Sequence, residues 1–170
     1  MANLYTLPSG KITKFNVVIE IPEREQNKFE YSPDGYLELD RVLYGAAFYP
    51  ASYGFIPSTK AEDGDAVDVM VFLTSPVPAM TVIKCRAIGM IEMVDSGEKD
   101  SKILAVPLCD PRFDDILDLT DLPQHKIKDI VDFFVNMQKY KNDEWVTVNE
   151  ITGIFGKIES EAELAKYLEE

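Results

Sequence analysis

Apolar and polar positions alternate at a two-residue period over much of the chain up to Pro107, and then change to a helical period. Phe15 to Ile21 is rich in Val and Ile, ends at Pro22 and reads as a strand, with Glu20 as a carboxylate inside the apolar run. Lys28-Phe29-Glu30-Tyr31 alternates charged and aromatic residues, so Lys28 and Glu30 are expected on one strand face. After the turn Pro33-Asp34-Gly35, Tyr36 to Val42 alternates again, with Leu37, Leu39 and Arg41 on one face and Glu38, Asp40 and Val42 on the other. Tyr44 to Pro57 is aromatic and turn-rich, too irregular for a long helix. Val67 to Leu73 and Ile103 to Pro107 read as buried strands, and Met80 to Met93 as one long strand or two shorter ones around Gly89. Asp95 to Lys102 reads as an acidic loop.

Beyond Asp110, the residues Ile127, Ile130, Val131, Phe134 and Met137 recur at helical spacing and predict a helix from about Pro123 to Tyr140. Trp145 to Val148 reads as a short strand, and Ser160-Glu161-Ala162-Glu163 as a capping box opening a final helix through Leu168. Strands first and helices afterwards predict an α+β chain, mainly β, with helices packed on a sheet or barrel. Its 170 residues are expected to form one domain.

Composition narrows the function. Thirty acidic residues against 17 basic give a net charge of −13, which disfavours nucleic acid and membrane surfaces as partners. No signal peptide or bilayer-spanning run is read, and Cys85 and Cys109 form no metal-ligand pattern, so a cytoplasmic setting is expected. His125 is the only histidine, which removes zinc sites of the HExxH kind and most imidazole chemistry. It falls in the expected amphipathic helix, at a surface or interface.

Glu62-Asp63-Gly64-Asp65-Ala66-Val67-Asp68 places four carboxylates within seven residues. By itself this reads first as a solvated turn before a strand, since Asp and Gly are ordinary turn residues, and only second as a cation site. Such a cluster repels itself unless a cation sits within it, and carboxylate oxygens suit hard divalent ions. It fails as an EF-hand, because positions six and twelve counted from Asp63 are Asp68 and Thr74. No P-loop or dinucleotide fingerprint is present. The other carboxylates of interest are Glu20, Glu30, Asp95 and Asp100; the cations are Lys28, Arg41 and Lys102; the hydroxyls are Tyr49 and Tyr53. Acids and bases interleaved at strand ends suit a polyanion that arrives with metal ions.

These residues resemble the soluble family I inorganic pyrophosphatases over nearly the whole chain. The family signature D-[SGDN]-D-[PE]-[LIVMF]-D corresponds to Asp63-Gly64-Asp65-Ala66-Val67-Asp68, with Ala66 departing from it. Val18 to Pro22, Lys28-Phe29-Glu30, Leu39-Asp40-Arg41, Tyr49 to Gly54 and Asp95 to Lys102 also match. The resemblance implies a small closed OB-like β-barrel with two helices packed against it. It implies that Asp63, Asp68, Asp95, Asp100 and Glu20 hold metal, and that Asp65 is the general base. Lys28, Arg41, Tyr53 and Lys102 would bind phosphate, with Glu30, Asp40 and Tyr49 in support. The family has Phe-Phe, two residues, then Tyr-Lys against the product phosphate. After Phe133-Phe134, an ungapped match puts Met137 and Gln138 there, and a three-residue slip puts Tyr140 and Lys141 there; the slip keeps nearly the same helix face.

The implied reaction is metal-dependent hydrolysis of pyrophosphate to two orthophosphates, by in-line attack of a water bridging metal ions. The implied cofactor is several Mg²⁺ ions per site, with Mn²⁺ or another divalent ion as substitute. The implied substrate is pyrophosphate as a metal complex, and the implied assembly a homo-oligomer, commonly a hexamer among bacterial relatives. Two rivals are a non-enzymatic metal–polyphosphate binder, which has no need of Asp65, and an oligonucleotide-binding barrel, which the net acidity opposes.

Overall fold

A computed structural model describes residues 3–62, 64–95, 97–137 and 149–169, with the side chains of residues 95, 98 and 149 also outside it. The strands are β1 (Gly10–Lys11), β2 (Lys14–Ile21), β3 (Asn27–Tyr31), β4 (Leu37–Val42), β5 (Ser52–Phe55), β6 (Asp68–Val71), β7 (Val82–Asp95), β8 (Glu98–Pro107) and β9 (Asn149–Gly156). The helices are α1 (Gln124–Asn136) and α2 (Lys157–Leu164).

Five strands close a hydrogen-bonded ring in the order β2, β5, β6, β8, β7, with β7 pairing back onto β2. All its pairings are antiparallel except β6–β8, which is parallel. β7 is long enough to serve two neighbours: its first residues pair with β2, and its stretch from Gly89 onwards pairs with β9. A register shift between Ala87 and Gly89 marks the change. The two readings of Met80 to Met93 thus meet in one strand with an irregularity at its middle. β3 and β4 form a separate hairpin.

The two faces of the ring are buried differently, as a two-residue period requires. Phe15, Val17, Ile19, Val69, Val71, Ile103 and Ala105 form one cluster with Leu164 of α2. Met70, Leu104, Ile91 and Met93 form another with Ile130, Phe133 and Phe134 of α1. Each fully buried side chain of this kind contributes about 1.5–3 kcal/mol relative to exposure. The fold is thus mainly β with two packed helices, as expected.

Several boundaries differ from the sequence reading. Asp95 to Lys102 is not a loop: Asp95 and Glu98 already pair across a tight turn, and Gly97 supplies its φ of 92°. β5 falls inside the aromatic stretch that shows no alternation, and β9 is a further strand that the apolar pattern does not signal. In β4, register pairs Phe29 with Leu39 and Lys28 with Arg41, so Asp40 is an extra residue. Leu39 and Arg41 therefore do not share a face, and Arg41 joins Lys28. The predicted helix is shorter than expected, ending at Asn136. The strand read at Trp145 to Val148 lies outside the described residues.

The final helix begins at Lys157, three residues before the sequence motif. Ser160 is buried inside it, and its hydroxyl donates to the Lys157 carbonyl at 2.7 Å. The cap comes from elsewhere in the chain: Asp118 accepts from the Lys157 amide at 2.8 Å and from the Thr120 amide at 3.1 Å. One carboxylate thus terminates two helical turns and ties the chain before α1 to the start of α2. Those amide bonds, led by the Lys157 amide, hold the Asp118 carboxyl below its ordinary pKa.

Asp118→Ala is expected to lower stability by about 1–2 kcal/mol, the scale of a lost helix cap. Because the folded pKa is depressed, this contribution is full above the unfolded pKa and is lost as pH falls through the folded one. Urea denaturation of both chains at neutral and acid pH measures it. Equal midpoints at neutral pH would remove the capping role.

Candidate active site

The polar residues singled out in the sequence collect at one end of the ring because strand register puts them level. β6 and β8 run parallel with Val69 opposite Ile103, so Asp68 and Lys102 stand side by side one step earlier. Asp100 lies two residues before Lys102, on the same strand face. The Lys102 ammonium is bonded to Asp68 and, at 2.5 Å, to Asp100. It lies 5.7 Å from the centre of the Tyr53 ring, and the Tyr53 hydroxyl donates to Asp68 at 2.6 Å.

Burial works to lower the Lys102 pKa, since Lys102 is only 5% exposed. The charges of Asp68 and Asp100, together with their hydrogen bonds, outweigh it and drive the pKa up, so the amine remains an ammonium. Burial also raises the Tyr53 hydroxyl well above its ordinary value, with Asp68 adding to it. Tyr49 is raised in the same direction by burial, against the opposing charge of Arg41. Tyr49 packs on Phe133 of α1 at 4.7 Å and on Tyr53 at 5.6 Å between ring centres, which ties the helix to this group.

Glu20 lies in β2 between Ile19 and Ile21, where the register with β5 shifts and leaves it without a partner in that strand. It is 7% exposed and accepts the Tyr31 amide at 2.6 Å. Burial pushes its carboxyl up to about 8, opposed by that amide bond and supported by the charges of Asp68 and Glu30. The β3–β4 hairpin adds a second positive cluster. Lys28 pairs with Glu30 and with Asp40 at 3.1 Å, and Arg41 pairs with Asp40 at 3.0 Å. The bulge at Asp40 thus lets one carboxylate hold both cations. Asp65 follows a tight turn in which Gly64 adopts φ 96° and Ala61 donates its amide to the Asp65 carbonyl at 2.7 Å.

One open cavity of about 700 Å³ gathers Glu20, Lys28, Glu30, Arg41, Tyr49, Tyr53, Asp65, Asp68, Asp100 and Lys102. Asp40 reaches it through its two cations. Asp95 closes β7 at the turn of the β7–β8 hairpin, opposite Glu98, and is not among the described residues that line the cavity; its side chain lies outside the described residues. Asp63, Tyr140 and Lys141 lie outside the described residues, as does Gln138. Met137, the other residue of the ungapped alternative, does line the cavity. The structure adds Tyr5, Tyr31 and Phe134 to the wall. Tyr5 has no sequence signal, because nothing periodic or motif-like links the first residues to Glu20 or Asp68.

The donor set is made of hard oxygen ligands, which fits Mg²⁺-like divalent ions. Among the described residues no three carboxylates meet closely enough to ligate one ion. Asp68 and Asp100 converge on the Lys102 ammonium, so positive charge already separates them. Among the described residues no helix is long and apolar enough to cross a membrane.

A family model described as inorganic pyrophosphatase matches residues 17–169. The inorganic pyrophosphatase of Geobacillus stearothermophilus is 50% identical over 125 residues, which cover 73% of this chain and 74% of that one. The crystal structure of inorganic pyrophosphatase from Thermus thermophilus superposes with a TM-score of 0.90 at 39% identity, covering 96% of this chain and 95% of that chain. The inorganic pyrophosphatase of Helicobacter pylori superposes with a TM-score of 0.89 at 34% identity, covering 95% of this chain and 96% of that one.

Proposed function

The chain belongs to the inorganic pyrophosphatase family, and from that premise we propose that it hydrolyses pyrophosphate to two orthophosphates in the cavity around Lys102, with Mg²⁺ as its cofactor. The observation that carries the reading is the gathering of acids, cations and tyrosines from β2 to β8 around one cavity of about 700 Å³. Asp63, Asp68, Asp95, Asp100 and Glu20 are the residues proposed to hold the ions. When bound, divalent ions neutralise phosphate oxygens and lower the pKa of water enough to supply a nucleophile near neutral pH.

Pyrophosphate carries roughly three to four negative charges near neutral pH, about what two phosphate groups imply. A chain of net charge −13 repels it bare, so the substrate is proposed to enter as its metal complex. Lys28, Arg41, Tyr53 and Lys102 then bind its oxygens. Glu30 and Asp40 hold Lys28 and Arg41 in place through the ion pairs described above. Tyr49 supports Tyr53 from the α1 side. Asp65 accepts a proton from the attacking water as its oxygen bonds to one phosphorus in line with the bridging oxygen. The P–O bond to that bridge breaks, and the second phosphate leaves with its charge balanced by the lysines and Arg41.

The setting proposed is the cytoplasm, which the free cysteines Cys85 and Cys109 support. The assembly proposed is a homo-oligomer, a hexamer. A groove of about 740 Å³ beside α1, lined by Leu122, Ile127, Val131, Val135 and Ile154, supports it. Sedimentation as a monomer would remove that part of the reading.

Phosphate release from pyrophosphate with Mg²⁺ tests the reaction, and turnover after exhaustive chelation would contradict the cofactor. Asp65→Asn keeps the size of the side chain and one acceptor oxygen but cannot take the proton. It is expected to cut kcat by roughly 10²–10⁴, the range for a lost general base. Metal and pyrophosphate affinity change much less. Near-normal turnover at saturating metal would show that the reaction needs no base at Asp65.

Tyr140 and Lys141 are proposed to touch the product phosphate. Tyr140→Phe is expected to raise KM for pyrophosphate, with Met137→Leu neutral. The opposite pattern would assign the contact to the ungapped register, which places Met137 in the cavity wall.

A further inference from the structure

Tyr5, in the first segment of the described residues, is part of the cavity wall. Asn3 caps a short helical turn, Leu4–Thr6, through the Tyr5 amide at 3.0 Å. The segment is fixed at both sides of that turn. The Asn3 side chain donates to the Pro33 carbonyl at 2.7 Å, and the Leu4 amide donates to the Tyr31 hydroxyl at 3.1 Å. Ser58 donates its amide to the Tyr5 carbonyl at 2.9 Å and its hydroxyl to the Leu7 carbonyl at 2.8 Å.

These contacts seat the Tyr5 ring on two aromatic residues. Ring centres lie 4.5 Å apart for Tyr5 and Phe55, stacked, and 5.4 Å apart for Tyr5 and Tyr31, tilted. Packing therefore fixes the ring without any help from its hydroxyl. Among the described residues that hydroxyl has no hydrogen-bond partner, although Tyr5 borders the cavity beside Glu20, Asp65 and Asp68.

Three of the neighbouring carboxylates take donors from elsewhere. Glu20 takes the Tyr31 amide, Glu30 takes Lys28, and Asp68 takes both Tyr53 and Lys102. Burial first, and then the charges of Glu20, Asp65, Glu30 and Asp68, push the Tyr5 pKa up to about 12. The group is thus a neutral donor in the wall of the cavity.

We infer that Tyr5 is a further substrate-binding residue, whose hydroxyl donates a hydrogen bond to a phosphate oxygen of the metal–pyrophosphate complex. This rests on the reading of the cavity given above. The N-terminal segment thereby supplies the cavity with a donor from outside the ring of strands. A phenol suits the position better than an amine would. It offers one donor to an anionic oxygen without adding a charge that would pair with Glu20 or Asp65.

Tyr5→Phe is the decisive variant, because it keeps both ring contacts and removes only the hydroxyl. Two measurements are made on the full chain with Mg²⁺: calorimetric binding of methylenediphosphonate, an analogue that cannot be hydrolysed, and steady-state hydrolysis of pyrophosphate. The variant is expected to bind the analogue about tenfold more weakly, the size of one hydrogen bond to a charged group. KM rises by a similar factor, kcat stays within about twofold and Tm is unchanged, the pattern of a contact made equally in ground and transition states. Tyr5→Leu, which also loses the ring contacts, is expected to lower Tm as well. Wild-type affinity and KM in Tyr5→Phe would overturn the inference. A fall in affinity that tracks a fall in Tm would overturn it too, assigning the residue to packing. A wild-type chain that neither binds the analogue nor hydrolyses pyrophosphate would overturn the reading of the cavity itself, and the Tyr5 contact with it.

Discussion

Two carboxylates and a buried ammonium on the parallel pair β6–β8 set the terms for the rest of the molecule. Asp68 and Asp100 face each other's charge at the rim of a tightly packed ring, and Lys102 is the group that makes this tolerable. An ammonium this buried is stable only with partners at hydrogen-bonding distance. Asp100 is supplied by the same strand, but Asp68 is in place only when β6 and β8 are in register, with Val69 opposite Ile103. A slip of one residue would send Lys102 to the opposite face, among Val69, Val71 and Ala105. The polar group therefore specifies the register, while the apolar faces supply the stability.

From this pair the remaining parts of the cavity can be placed in sequence. Tyr53 bonds to Asp68 and packs on Tyr49, which packs on Phe133, so α1 is coupled to the acids through three rings. On the other side, Glu20 is joined to the β3–β4 hairpin by the Tyr31 amide. That hairpin lies outside the ring and holds Lys28 and Arg41 through one bulge at Asp40. Positive charge is thus arranged at two depths: Lys102 is buried and fixed, while Lys28 and Arg41 are on a peripheral element. A polyanion that bridges both levels is a better match for this arrangement than a flat charged surface.

Much of this was legible in the sequence because the informative residues sit in short contiguous motifs. Val18 to Pro22, Lys28 to Glu30 and Asp63 to Asp68 each combine a clear strand or turn signal with a charged residue where an apolar one would be expected. Other features were hidden for identifiable reasons. β5 is four residues long and includes Gly54, and β9 lacks a sustained apolar run, so neither has a period to detect. The start of α2 is set by Asp118, 39 residues earlier, and no local motif can announce a cap that arrives through space. The face of Arg41 departs from simple alternation because a bulge adds a residue without changing composition. Tyr5 reaches the cavity only through the pinning of the N-terminal segment by Tyr31 and Ser58.

The parallel pairing of β6 with β8 also governs when the cavity comes into being. Parallel neighbours cannot be joined by a tight turn, and here the whole of β7 lies between them in the chain. β7 must in turn pair back onto β2, at the opposite end of the strand sequence, to close the ring. Asp68 meets Lys102 across 34 residues, whereas Glu20 meets the Tyr31 amide across 11. Contacts of such span carry more closure entropy than the 12-residue separation of Lys28 and Asp40. The ion pairs of the site thus divide by span: Lys28 and Asp40 meet within one short hairpin, whereas Asp68 and Lys102 are brought together only in molecules whose ring is complete.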